Sequence, residues 1–526
     1  MEKASVDALM SRNASLESEV KLLRQQMDWF RRQMFGHKTE KLPPGWDAQV
    51  ALGQDLFGQD LSVPAPQTLT VPAHDRKVLP KVGHGRQELP EDLPREEILL
   101  DVPESEKTCP CCQGPRAHIG DDTREELHLI QPRFVVRRYR RPKYACRTCT
   151  LEGVAQAEPA VCVIDKGIPS VELVVWIILS KYMDHLPLHR IASQFKRWGV
   201  DVPESTMVGW ITAAFELLGP IHRALEHEIR QSGCLHVDET TLRVQHGTKD
   251  QWGRGKTDID QLWAMLGRAP DGTPVGVSFL HFDSRKYEVA KTILEGFHRG
   301  TVVSDGYEAY SSALDPRPDV HHAGCWAHAR RRFHEALLSG DPRAKEPLKQ
   351  IKLMYQAHAD IGRLVGRIRK HGLSVGQDLS QERIDAIVVN RRQKRIGKHM
   401  KLLEDWNRKE QVHVLPKSKL GSAVIYLNNQ LPRLKLCLSH ARIDLDNNII
   451  ERAIRAVAIG RKNWMFAGSV EGAKRAALLI SLVGTCRMLD IDPVAYFADV
   501  LLRVRMRPEG AACTDLTPLM WKNHVK

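Results

Sequence analysis

No run of this 526-residue sequence is apolar for long enough to cross a membrane. The longest stretches, VELVVWIIL (171–179) and AALLISLVG (476–484), fall well short of the roughly 18 residues that a spanning helix needs. The first twenty residues, MEKASVDALMSRNASLESEV, lack an apolar core behind their basic residue, so no secretory signal is expected and the chain reads as intracellular. The cysteines are not arranged for disulfides: there are eleven, an odd number, and four of them form two Cys-x-x-Cys pairs, which in a reducing compartment reads as metal binding. With 42% hydrophobic and 27% charged residues and a mean hydropathy of −0.35, the composition excludes low complexity and wholesale disorder. What is in excess is positive charge. Lys and Arg number 77 against 64 Asp and Glu, a net +13 with a pI near 9.2, which favours a polyanionic partner, nucleic acid before acidic lipid. At roughly 100–200 residues per domain, the length implies three or four units.

Leu9, Leu16, Leu23 and Phe30 recur every seven residues, with Val6, Asn13, Val20, Met27 and Met34 in the second seam position. This predicts a leucine-zipper-like dimerisation helix over 1–42, in which Asn13 would fix register; an amphipathic helix packed on its own domain is the alternative. Residues 43–95, rich in Pro, Gly and Gln, read as a linker. Between 96 and 165, Cys109, Cys112, Cys146 and Cys149 offer four thiolates in two knuckles, the arrangement of a structural zinc site, against redox or plain buried cysteines. The same segment holds FVVRRYRRPKYACR (134–147), where Arg137, Arg138, Arg140, Arg141 and Lys143 interleave with Tyr139 and Tyr144. Cations that neutralise phosphate beside rings that stack on bases make this a candidate DNA contact, the alternative being a solvated strand face.

Residues 166–230 read as helical. A helix with Ile191, Ala192 and Phe195, a turn at Gly199 and a second helix entered at Pro203-Glu204-Ser205-Thr206 give a helix-turn-helix outline that would put Ser205 and Thr206 at a major groove, although any two packed helices share it. CLHVDETTLRV (234–244), QLWAMLGR (261–268) and VGVSFLHF (275–282) read as strands, YEVAKTILEGF (287–297) as a helix, and GTVVSDGYEAY (300–310) as a fourth strand ending near Asp305. This order is that of a ribonuclease-H-like half-sheet, whose first and fourth strands are neighbours, so Asp238 and Asp305 would share one spot and need a divalent cation between them; the alternative is that each is an ordinary strand-end or turn residue. In DLDNNIIERAIRAVAIGRKNW (444–464), Asp446 is expected at the N-cap, and Glu451 supplies a third acid beside Arg452 and Arg455. The nuclease-like core is thus expected over 231–335 and 436–485, interrupted by a basic helical insertion over 336–435 that includes NRRQKRIGKHMK (390–401), with a small domain at 486–526.

The motifs GCWAHARRRF (324–333), DNNxxER at Asp446–Arg452, GRKNWMFAGS (460–469) and FGHKTEKL (35–42) together resemble the transposases of the insertion-sequence sixty-six family, in the DDE transposase superfamily, over about residues 30–505. The resemblance implies a multidomain α+β chain: coiled-coil helix, zinc-binding segment, helix-turn-helix and ribonuclease-H-like α/β catalytic core with a helical insertion. It maps the catalytic, magnesium- or manganese-binding acids to Asp238, Asp305 and Glu451, with Asp446 the rival for the third. It implies structural zinc at Cys109, Cys112, Cys146 and Cys149, and phosphate contacts at Arg452, Arg455, Arg461 and Lys462. Its activity would be metal-dependent cleavage at terminal inverted repeats followed by 3′-hydroxyl attack on target DNA. Its partners would be end and target DNA, a second protomer and small accessory proteins, in the cytoplasm on a prokaryotic nucleoid and away from membranes. A dimeric DNA-binding regulator with an inactive core, or a nuclease of the same fold without strand transfer, are the rival readings. His322, Cys325 and His328 have ligand-like spacing, although a packed helix start accounts for them better, with Arg330 and Arg331 near the acids. Trp464 is either a base-stacking or a core residue.

Overall fold

A computed structural model of the chain describes residues 94–99, 107, 111, 113–115, 127, 132–145, 154–165, 167–247, 256–375 and 380–525. The expected zipper at 1–42 and the four paired cysteines lie outside the described residues. Two compact units are present, with Val135–Lys526 in one and His37–Phe134 forming the other; of the second, only short stretches such as 94–99 are described.

The first unit begins with an exposed arginine-rich segment and a two-stranded antiparallel ribbon, β1 (Lys143–Ala145) and β2 (Val154–Gln156). Two of the arginines are engaged: Arg137 pairs with Glu172 at 2.9 Å and Arg141 Nε donates to Ala157 O at 2.7 Å. The run VELVVWIIL is core helix. It forms most of α1 (Val171–Tyr182), capped where Ser170 Oγ accepts from Leu173 N, and its side chains meet neighbours nearly all round. Trp176 stacks within 5.4 Å of Phe195 and 5.6 Å of Trp198, which ties α1 to α2 (Leu188–Arg197). Gly199, at φ +86°, turns the chain toward α3 (Glu204–Gln231). This helix is 28 residues long, well beyond the expected second helix, and its N-cap position, Pro203, makes no side-chain hydrogen bond. Ser205 is exposed and Thr206 half-buried at its start.

α3 lies on a five-stranded sheet ordered β5-β4-β3-β6-β7. Its strands are β3 (Cys234–His246), β4 (Lys256–Arg268), β5 (Pro274–Phe282), β6 (Gly300–Val303) and β7 (Val320–Ala323); β4 runs antiparallel to both β3 and β5, while β6 runs parallel to both β3 and β7. The buried run of β4 is continuous rather than alternating because both faces are covered. Gly300, at φ +124°, is the position where a side chain would strike the Gly233 carbonyl, so its lack of Cβ lets β6 dock and Thr301 N reach Gly233 O at 3.0 Å. The expected helix after β5 is shorter than its pattern: α4 (Tyr287–Ile293) stops and a turn carries the chain through Phe297. α5 (Glu308–Leu314) and β7 are additions that the sequence pattern did not signal.

α6 (Trp326–Leu338) leads into α7 (Lys345–Val375), α8 (Gln381–Glu410) and α9 (Lys419–Lys435), which share a core built on Trp326, Phe333, Ile351, Met354, Ile396 and Leu427. Within the basic run on α8, Arg392 is buried at 3% exposure, and its Nη1 donates to the carbonyls of Cys437, His440 and Ile443 at 2.7–3.1 Å. That residue is a structural pin; Arg391, Lys394, Arg395 and Lys398 face solvent. The chain returns to β3 with α10 (Asn448–Trp464), then α11 (Val470–Met488) packs on β5 and α3. α12 (Pro493–Arg505) folds back on α1 and α3, and α13 (Pro518–Val525) sets Trp521 5.5 Å from Tyr496.

Candidate active site

Asp238 and Asp305 are brought together by strand register. Parallel pairing sets His236 opposite Val303, and each aspartate lies two residues further along its own chain. Asp305 is therefore just beyond β6, with Tyr307 N donating to its Oδ1 at 2.9 Å and Tyr426 Oη donating to its carbonyl at 2.9 Å. Asp238 Oδ1 accepts from Glu239 N at 2.8 Å. Burial, then the Glu239 and Asp305 carboxylates and lastly Glu451, push Asp238 up to about 8.

Glu451 comes to this spot because its helix is clamped to β3. Asn447, fully buried, donates through Nδ2 to Val237 O at 2.8 Å, and its Oδ1 lies 2.8 Å from His236 Nδ1. An amide oxygen only accepts, so the His236 proton is assigned to Nδ1. The N-cap position is Asn447 and not Asp446, which corrects the expectation. Asp446 Oδ1 accepts from Asn448 N at 3.1 Å and Oδ2 from Asn448 Nδ2 at 2.8 Å, so both its oxygens are engaged in the turn before the helix. Arg331 Nη2 lies 3.4 Å from Glu451 Oε2, and Arg330 is exposed on the same helix.

Glu239 is a fourth acid that the sequence reading passed over. Its side chain is 2% exposed, pairs with Arg285 and accepts from Tyr310 Oη at 2.8 Å; burial followed by Asp305 raises it, against Arg285 and Tyr310. Arg285 also lies 4.3 Å above the Tyr307 ring, and Tyr307 Oη donates to Arg285 O at 2.7 Å, so Glu239 braces the Asp305 turn. The adjacent acids in VDET were the available signal.

The candidate phosphate contacts divide by what they touch. Arg452, Arg455 and Lys462 are exposed on α10, and Arg138, Arg140 and Lys143 are exposed near β1. Arg461 instead donates to Thr241 O and, at 2.6 Å, to Thr241 Oγ1, which fastens the end of α10 to β3. Trp464 is half-buried and folds over Gly460. His322 is parted from Cys325 and His328: its Nε2 lies 2.8 Å from Ser304 Oγ, while the other two face Glu451.

Residues 166–475 match the family model described as "Transposase IS66 family", 106–150 that of the "zinc-finger binding domain of transposase IS66", and 22–98 "Transposase C of IS166 homeodomain". Among similar proteins, the Sinorhizobium fredii protein described as "Uncharacterized protein y4jD" is 31% identical over 92% of this chain and 91% of its own. A second from that organism, "Uncharacterized protein y4hP", is 32% identical over 83% of this chain and 77% of its own. The solved "Drosophila P element transposase strand transfer complex" is 11% identical and covers 61% of this chain and 94% of that one, at a TM-score of 0.30 too low to bear on the site. The long match, which spans the five-stranded sheet, the acids and α10, with the zinc-finger match ahead of it, establishes that the chain belongs to the IS66 family of transposases.

Proposed function

We propose that this chain is an active DNA transposase whose ribonuclease-H-like core cuts the terminal inverted repeats of its element and joins them to target DNA, with Asp238, Asp305 and Glu451 as catalytic acids. The carrying observation is the register that sets Asp305 level with Asp238, together with the Asn447 clamp that delivers Glu451. Asp238 and Asp305 present carboxylate oxygens, the donors that hard Mg²⁺ or Mn²⁺ prefers, and their mutual repulsion is relieved by such a cation. Asp238 and Asp305, with Glu451, would hold such a cation, which would supply Lewis acidity toward a water or 3′-hydroxyl nucleophile and charge to offset the leaving oxygen of an in-line displacement. Asp446 serves the turn rather than the cation.

The chain's own residues hold the substrate. Arg331, Arg452, Arg455 and Lys462 supply cations for phosphates flanking the scissile bond, while Arg461 keeps α10 along β3. Arg138, Arg140, Lys143, Ser205 and Thr206 engage the DNA end, with Arg137 and Arg141 ordering their segment. Cys109, Cys112, Cys146 and Cys149 hold a structural zinc, and the 1–42 zipper pairs protomers so that two ends meet. The work is cytoplasmic, on nucleoid DNA; among the described residues no helix is long and apolar enough to cross a membrane.

The test is a purified reaction with the element's own ends and Mg²⁺. The wild type yields joined donor–target product, and Asp238→Asn loses cleavage by at least about a hundredfold while retaining end binding. Ends that are bound but never nicked by the wild type would favour the regulator, and nicking that never leads to joining would favour the simple nuclease.

A further inference from the structure

Two polar atoms beside the acid cluster have no hydrogen-bond partner. His328 Nδ1 and Glu451 Oε1 are shielded from solvent, lie 3.9 Å apart and make no hydrogen bond. Such atoms are nearly always satisfied by protein, water or an ion, so each calls for a cause. The Cys325 thiol stands with them: its sulfur, a His328 ring nitrogen and a Glu451 oxygen all lie within 4.8 Å of one another. The frame around them is well fixed. Cys325 occupies the N-cap position of α6 and His328 its first turn, Glu451 is in the first turn of α10, and Trp326 N to Leu445 O at 2.8 Å and Asn447 N to Cys325 Sγ at 3.2 Å tie the two helix starts together. A contrasting group elsewhere needs no ion: buried Asp260 accepts from His246 at 2.9 Å and from His281 at 2.8 Å.

We propose that Cys325, His328 and Glu451 form a site for one borderline divalent cation of the zinc class, separate from the hard-cation site of the carboxylates, and that filling it withdraws Glu451 from catalysis. The donors are one sulfur, one nitrogen and one oxygen, a set that suits Zn²⁺ and its neighbours and that Mg²⁺ avoids. Bonds of about 2.0–2.3 Å to a tetrahedral ion put ligand atoms roughly 3.3–3.8 Å apart, so a small rotamer adjustment closes the trio. Binding exchanges the S–H bond for a metal–sulfur bond and releases the proton to solvent; thiolate and carboxylate then balance the cation's two charges. With Nδ1 on the ion, the ring proton sits on Nε2. The 3.4 Å approach of Arg331 Nη1 to Nε2 then ceases to be a hydrogen bond, leaving Arg331 its contact with Glu451 Oε2. Three protein ligands leave a fourth position open. The inhibitory consequence rests on the proposed role of Glu451; the binding does not.

Full-length protein is stripped of metal and titrated with Co²⁺, whose bond to thiolate gives a charge-transfer absorption. The paired cysteines are expected to take one equivalent, so the wild type should show two thiolate-bound equivalents, and Cys325→Ser and His328→Asn one each. A variant with Cys109, Cys112, Cys146 and Cys149 changed to Ser should retain the equivalent that Cys325 holds. His328 is half-buried, so its variant tests the site even if Cys325→Ser fails to fold. Equal Co²⁺ equivalents in wild type and His328→Asn overturn the site. In the cleavage reaction, Zn²⁺ added over Mg²⁺ should inhibit the wild type, and His328→Asn should need at least tenfold more Zn²⁺. A Co²⁺ site whose occupation leaves Mg²⁺-supported cleavage unchanged overturns the inhibitory half. No cleavage with any metal, alongside an intact Co²⁺ difference, removes the transposase mechanism and keeps the site.

Discussion

At the scale of single residues, the DNN motif separates into three jobs that its spelling does not reveal. Asp446 organises a turn, Asn447 clamps β3, and Asn448 opens α10 as its first residue. Since an amide oxygen can still accept from Asn448 N, Asp446→Asn should retain cleavage within about tenfold. Glu451→Gln removes a charged cation ligand and should lose at least about a hundredfold, near the cost of removing a transition-state electrostatic partner. Single-turnover cleavage of labelled end DNA measures both; the reverse ranking would make Asp446 the third acid. Asp238, Asp305 and Glu451 were singled out through the family motifs, because by spacing alone a carboxylate at a strand end or in a helix's first turn is an ordinary residue. Asn447 and Glu239 were not, since their roles depend on partners such as Val237, Arg285 and Tyr310 that only the folded sheet brings near.

Among elements, one basic run shows how poorly charge alone reports a role. Arg392 ties α8 to the segment before α10 through three carbonyls, so Arg392→Met should destabilise by roughly 3 kcal/mol, read as a lowered thermal midpoint. Lys394→Ala and Lys398→Ala, both exposed, should change stability by under about 0.5 kcal/mol. If α8 grips DNA, they flatten the salt dependence of binding by about one unit each. A second junction is titratable. His222 on α3 lies 3.0 Å from Ser278 Oγ on β5 and 3.2 Å from Ser481 Oγ on α11, and burial, then Arg230 and Arg223, lowers it to about 4. A depressed histidine leaves the folded state binding fewer protons than the unfolded chain. Its contribution is complete above about 6.5 and is lost as pH falls toward 4, with a ceiling near 3 kcal/mol. Glu226, 3.2 Å from His222 Nδ1 and raised mainly by burial, opposes part of this loss. Thermal midpoints should therefore fall more steeply from pH 7 to 4.5 in the wild type than in His222→Gln, and parallel curves would remove His222 as the cause. Strand β5 and the start of α3 were readable from the sequence, whereas α11 showed only as an apolar run; the polar seam joining the three was not readable, because its members are separated by up to 259 residues.

For the whole molecule, the helices α7–α9, expected as an insertion, buttress the sheet. The sequence showed helices between the second and third acids but gave no sign that α9 returns to the second. Tyr426 Oη reaches Asp305 O across 121 residues, Arg332 sits 4.5 Å above the Tyr426 ring, and Trp326 Nε1 donates to Leu434 O at 3.1 Å. A side chain at Gly306 would strike Gln430, so the turn carrying Asp305 is moulded directly on α9. Coupling of this kind makes excision of the insertion unlike trimming a surface loop, because it would expose the shared core on Trp326 and Phe333 along with the Asp305 turn. Tyr426→Phe isolates the effect. It deletes one hydroxyl, keeps the ring that packs under Arg332, and leaves the exposed cations on α10 in place. The expected result is a stability loss of about 1 kcal/mol and a drop in cleavage of roughly tenfold, with end binding and its salt slope unchanged. Added Mn²⁺ should recover part of the rate if the defect is looser placement of Asp305. Equal loss of binding and cleavage would instead mean that α9 acts on DNA, and unaltered cleavage would show that the Asp305 turn holds its position without the insertion's help.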